Sequence, residues 1–354
     1  APKMLYAMWP ARAQRKDDVP EAERLASGLE FRLCVRAPRD CMEDVQRTLR
    51  AWLLFGGIGS RTRRGLGSVT VIDDVHGEWL PSKLNQAELA SLLGSNISFA
   101  GDRSWEEARD TPSLQGALLQ CGDAKSSGEG AWLEALGWLS EFRQGPLRVS
   151  RTPDPNLPRE PPPTRDPNCP NSKSADRPGR SKWPEPDKVR LLSGKHMDWA
   201  HPIRHPSPII VWPRASFGLP IVGRFQDKDR CERPYDKREP RDYELRWRVE
   251  TDGKPRDRLA SPLIVKAMGL ADGQYVPVAL WLFRGYPANG KIVLCRRSKQ
   301  APDGIYQERG SAAPFDALHA EGDPVLYEPL RQRTMRDAFF DWLRKTNRAR
   351  SIEP

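Results

Sequence analysis

The sequence lacks the marks of several function classes. None of its six cysteines stands in a C-x-x-C pair, which argues against a zinc ribbon. No apolar run approaches the ~18 residues needed to span a bilayer. No secretory leader is legible at the start, so reduced thiols and a cytoplasmic location are expected. No Gly-Lys is followed by Ser or Thr, so a nucleotide-triphosphate loop is absent. Histidine is scarce, with five in the chain. His201 and His205 stand four apart, but Pro202 and Pro206 argue against a helix that would align them. A third metal ligand is not evident beside them. Asp73 and Asp74 are adjacent and read as a strand end, because neighbours on a strand face opposite sides. No cofactor, metal or catalytic group is expected from these residues.

What is present is basic charge, proline and tryptophan. The 354 residues carry 57 Lys or Arg against 47 Asp or Glu, a net charge of +10. Such a surplus suits a polyanion, since each cation set against a phosphate releases a condensed counterion. Of the 34 prolines, 12 fall between Gln144 and Arg190, with 10 Lys or Arg and 6 Asp or Glu. That stretch reads as a long basic loop.

Local patterns give elements. Leu29–Arg36 alternates apolar and polar residues like a half-buried strand, with Cys34 among its core positions. A helix is predicted from Met42 to Phe55, with Val45, Leu49, Trp52 and Leu53 on one face and Asp40 as N-cap. A glycine-rich basic loop, 56–68, follows, and then a strand at Val69–Ile72. Together these form one βαβ half of a ferredoxin-like domain. Further helices are expected at about 85–93, 131–143 and 330–345. Strands are expected at 208–212, 221–225, 243–250, 263–267, 276–283 and 292–296. The chain divides into 1–82, a helical and Pro-rich part at 83–190, and a second α+β domain at 191–354.

The loop carries the chemistry. Its glycines permit positive φ and close backbone approach. Arg61, Arg63 and Arg64 add permanent charges whose planar forks fit phosphate oxygens. A dinucleotide fingerprint fails here: Thr62 takes the third glycine's place, and the loop follows a helix instead of opening one. Of the 12 tryptophans, Trp183 in the basic loop is the candidate for stacking on an unpaired base.

Gly-Gly-Ile-Gly-Ser-Arg at 56–61, then Arg-Arg-Gly-Leu-Gly-Ser at 63–68, resembles the glycine-rich loop of the RAMP superfamily of CRISPR proteins. Three further stretches are similar to the first subunit of the type III-B Cmr complex. They are Gly-Arg-Ser-Lys-Trp-Pro-Glu-Pro-Asp-Lys-Val-Arg at 179–190, Phe-Gly-Leu-Pro-Ile at 217–221 and Arg-Leu-Ala-Ser-Pro-Leu-Ile at 258–264. The resemblance implies tandem ferredoxin-like (RRM-like) domains in an α+β fold, the first incomplete at its N-terminus. It implies a non-catalytic subunit that binds crRNA near its 3′ end, with target RNA and neighbouring RAMP subunits as further partners. The alternatives are a metal-independent endoribonuclease that processes crRNA and a protein–protein scaffold. By position, the RNA contacts would fall on Gly57, Gly59, Ser60, Arg61, Arg63 and Arg64, with Arg180, Lys182 and Trp183 in the basic loop.

Overall fold

The computed structural model describes Ala7 and residues 28–74, 76–101, 103–144, 183–194, 205–223, 225, 240, 243–249, 255–256, 258–287, 289–296, 318–323 and 334–353. The elements among them run α1 (Met42–Phe55), α2 (Gln86–Leu93), β1 (Ser113–Cys121), α3 (Gly128–Gln144), α4 (Glu185–Ser193), β2 (Ile221–Gly223), β3 (Tyr243–Val249), β4 (Pro255–Arg256), β5 (Leu263–Gly269), β6 (Tyr275–Phe283), β7 (Gly290–Arg296), α5 (Met335–Lys345) and β8 (Arg350–Ser351). The fold is mixed α+β with two antiparallel sheets. The elements separate into two compact units that alternate along the chain. The first comprises Ala1–Gly145, Leu263–Arg284 and Asn347–Pro354, and the second Pro146–Pro262 and Gly285–Thr346.

In the first unit the strand order is β5-β6-β1-β8. Alternation along β5 and β6 sends Ile264, Met268, Val278 and Leu280 to one face, where they meet Leu54 and Phe55 of α1 and Leu89 and Leu93 of α2. Helix α3 packs on β5 and β6 and contributes nothing to that core, so it covers the opposite face. Asn85 caps α2 by accepting from Glu88 N at 2.8 Å, and the Glu88 carboxylate accepts from Ser82 N and Lys83 N.

In the second unit β3 is central. Strand β7 pairs along its whole length, while β2 and β4 take the two ends of its other edge. Their core joins Leu245, Trp247 and Leu294 to Val189 and Leu192 of α4. Helix α5 buries Met335, Phe339 and Trp342 as its periodicity predicts.

Several expectations need correction. The segment 29–36 forms no strand, and Leu29, Phe31, Leu33 and Val35 are all exposed, as is Cys34. An alternating pattern makes a strand only when another strand completes its ladder, and no described residue does so here. Residues 69–72 likewise run without a ladder. Asp40 is not the cap of α1: it lies in a 3-10 turn, Arg39–Cys41, and Cys41 holds the cap position. Residues 208–212 bend into a second 3-10 turn, Pro213–Phe217. Helix α4 stands where prolines argued for loop. Pro184 is its N-cap and Pro186 lies in its first turn, where no intrahelical N–H is required.

Candidate nucleic-acid interface

The glycine loop leaves α1 through Gly56, whose N–H bonds Trp52 O at 2.7 Å. It closes on itself when Ile58 N donates to Gly67 O at 2.8 Å. Between these points Arg61 adopts the left-handed conformation at φ 64°, and Thr62–Arg64 form one 3-10 turn. Two glycines are obligatory. At Gly67, φ is +66° and a Cβ would sit 1.9 Å from Ile58 O. At Gly65, φ is +79° and a Cβ would meet the Trp132 ring at 2.4 Å.

Three elements pin the loop by its carbonyls. From α1, Trp52 Nε1 donates to Gly57 O at 3.3 Å. From α3, Trp132 Nε1 donates to Arg64 O at 2.7 Å. From β5, Lys266 Nζ donates to Leu53 O at 3.1 Å and Gly56 O at 3.0 Å. Ser68 Oγ takes Gly65 O, and the turn itself uses the carbonyls of Arg61 and Thr62. Seven of the loop's thirteen carbonyls are thus engaged internally. No acidic residue interrupts 56–68, and three arginines lie within it. That is the electrostatics of an anion site.

Gly59, Ser60 and Arg61 are exposed at the tip, while Gly57, Arg63 and Arg64 are half-buried. Arg63 Nη1 is buried without a hydrogen-bond partner. Burial, and then the charge of Arg284, lower its pKa from the usual arginine value. Burial alone brings Lys266 down to about 7. Lys266, Trp132 and Arg284 escaped the sequence reading. Each is far from the loop in the chain, and no local pattern announces the contact.

The other candidates lie elsewhere. Arg180 and Lys182 fall outside the described residues. Trp183 is 2% exposed, so its ring is packed inside the second unit and presents no face to a base. The charged residues that follow it are buried as well. Glu185 pairs with Arg214 at 3.2 Å, Asp187 with Arg190 at 2.8 Å, and Lys188 with Asp323 at 2.7 Å. His205 is also buried, with its Nδ1 3.2 Å from Asp187 Oδ2; His196 and His201 fall outside the described residues. Asp74 caps a turn, its carboxylate accepting from the N–H groups of Glu78, Trp79 and Leu80 at 2.9–3.0 Å. Among the described residues no group of three or more His, Cys, Asp or Glu is placed to hold a metal. No helix among them is long and apolar enough to cross a membrane.

Residues 11–70 match the family model of the RAMP superfamily, a span that contains α1 and the loop through Ser68. No curated protein and no solved structure matches the chain.

Proposed function

From the RAMP-superfamily match over residues 11–70, we propose that this chain is a non-catalytic RNA-binding subunit of a CRISPR ribonucleoprotein. The finer reading is the first subunit of a type III-B Cmr complex, acting in antiviral defence. In it the chain holds crRNA near the 3′ end, meets target RNA and packs against other RAMP subunits. On this reading the chain is built from tandem ferredoxin-like domains. The observation that carries it is the pinned glycine loop inside the matched span, with Arg61, Arg63 and Arg64 and no carboxylate among them. Backbone contacts of this kind give affinity without sequence readout, which suits a protein that accepts any guide. The burial of His205 supports binding over cleavage, because a general base must reach its substrate.

The test is titration of labelled single-stranded RNA at several salt concentrations, with and without EDTA. Binding should fall with salt at a log–log slope of about −0.7 per phosphate neutralised, and the RNA should stay intact. Changing Arg61, Arg63 and Arg64 together to Ala should flatten the slope by up to about 2. An unchanged slope would remove the loop from the interface, and cleavage in EDTA would make the chain a metal-independent endoribonuclease.

A further inference from the structure

Arg284 follows the last residue of β6, on the strand's continuation past Phe283. The 3-10 turn Thr62–Arg64 packs along β5, and a Cβ on Gly65 would lie 3.1 Å from Val265 O. Strand β5 meets β6 with Leu263 opposite Trp281, so the start of β5 lies beside the end of β6. The fold therefore brings Arg63 and Arg284 to one corner of the first unit. Asp110 holds Arg284: Nη2 donates to Oδ1 at 2.7 Å, and Nε donates to Asp110 O at 2.8 Å. That carboxylate is 62% exposed, whereas the Arg284 side chain is 14% exposed. Arg63 pairs with no carboxylate among the described residues, and its Nη1 is buried without an acceptor. Two guanidinium groups thus meet at this corner, and an anion would supply the acceptor that Arg63 Nη1 lacks. The Arg103 guanidinium, paired with Glu107 at 3.3 Å, lies 4.9 Å from the centre of the Phe283 ring.

We propose that Arg63 and Arg284 jointly bind one backbone phosphate of the RNA, so that the strand leaves the glycine loop across the end of β6. The inference rests on the RNA-binding reading and adds a residue that the loop does not contain. Phosphate oxygens satisfy two guanidinium forks at once, with charge-assisted hydrogen bonds on both sides. Asp110 competes for Arg284 and tempers the site when it is empty.

The experiment is titration of the full chain with a labelled uridine 12-mer across a salt series. The variants are Arg63→Gln, Arg284→Gln, their double, Asp110→Asn and Arg61→Ala. Each of the first two should weaken binding about tenfold, the loss of one charge-assisted contact. Because the phosphate is shared, the double variant should flatten the salt slope by about 0.7 and not by about 1.4. Asp110→Asn should tighten binding, an effect opposite to any loss of fold. Unchanged binding in Arg284→Gln, with a clear loss in Arg61→Ala, would overturn this inference and leave the loop reading intact. Unchanged binding in all variants would overturn both. A double slope change near 1.4 would mean two separate phosphates, also against the proposal. A poly-glutamate peptide held as tightly as the RNA at equal salt would reassign the corner to an acidic protein partner.

Discussion

Replacing Lys266 by Met tests how the glycine loop is anchored. The lysine is 1% exposed, and its amine faces the carbonyls of Leu53 and Gly56. Burial brings its pKa from 10.5 to about 7. The folded amine therefore releases its proton near pH 7, while the unfolded chain keeps it up to pH 10.5. Between those values the unfolded state holds more protons, so folding stability must rise with pH. The gap of about 3.5, at about 1.36 kcal/mol per pH unit, sets a full effect of about 5 kcal/mol. Integrated from pH 6 to pH 9 the gain is about 2–3 kcal/mol. Met has a similar length and does not titrate. It leaves two carbonyls without their donor, a cost of about 1–3 kcal/mol each that does not vary with pH. Urea unfolding of both proteins at pH 6, 7, 8 and 9 isolates the difference. Wild type should gain about 2–3 kcal/mol on the variant across that range. A constant difference would refute the reasoning. It would mean that the carbonyls at the end of α1 keep the amine charged, as a helix C-terminus favours a cation.

Gly67→Ala should unfold the loop's closure, because the new Cβ would collide with Ile58 O at 1.9 Å; a lowered melting temperature and weaker RNA binding should appear together. Lys188→Met should cost about 3–5 kcal/mol by leaving Asp323 buried and unpaired. Adding Asp323→Asn should recover part of that loss in urea unfolding, because the amide oxygen can still accept from Ser207 N. Trp183→Ala should cost about 3–5 kcal/mol, as for a buried aromatic ring, with no change in the salt slope of RNA binding.

The sequence made some elements plain because their pattern is local. Helix α1 has the bounds its periodicity predicts, and β3, β5, β6 and β7 lie within two residues of the expected spans. Strand β1 was invisible for a physical reason. Gly116 sits in its middle at φ +82°, and the pairing with β6 shifts register between Ser113 and Leu118. Its burial follows no strict alternation, so period 2 fails. Helix α4 was hidden by prolines that its first turn tolerates. Residues 29–36 show the reverse: the pattern is regular, but a strand is a property of a pair. For the candidate site, the loop and its arginines were legible as composition. Their support was not, since Lys266 and Leu53 lie 213 positions apart.

Two of the stretches that carried the resemblance are used by the fold in opposite ways. Both looked like ligand surfaces in sequence, each rich in cations and next to glycine, proline or tryptophan. In the 183–190 stretch the cations are accompanied by Glu185 and Asp187 and meet a further acid, Asp323. Oppositely charged groups that can pair can be buried together, and these are, so the stretch builds the second unit's core. In 56–68 no acid is within the segment, and the tip remains exposed. The half-buried Arg63 has no carboxylate to compensate it among the described residues, so an anion from outside would complete its contacts. The presence or absence of a nearby acid, more than the density of Lys and Arg, separates a basic segment that holds the protein together from one that can hold RNA. By that criterion Arg63, whose Nη1 is buried without an acceptor, is where the next phosphate should be sought, with Arg284 beside it.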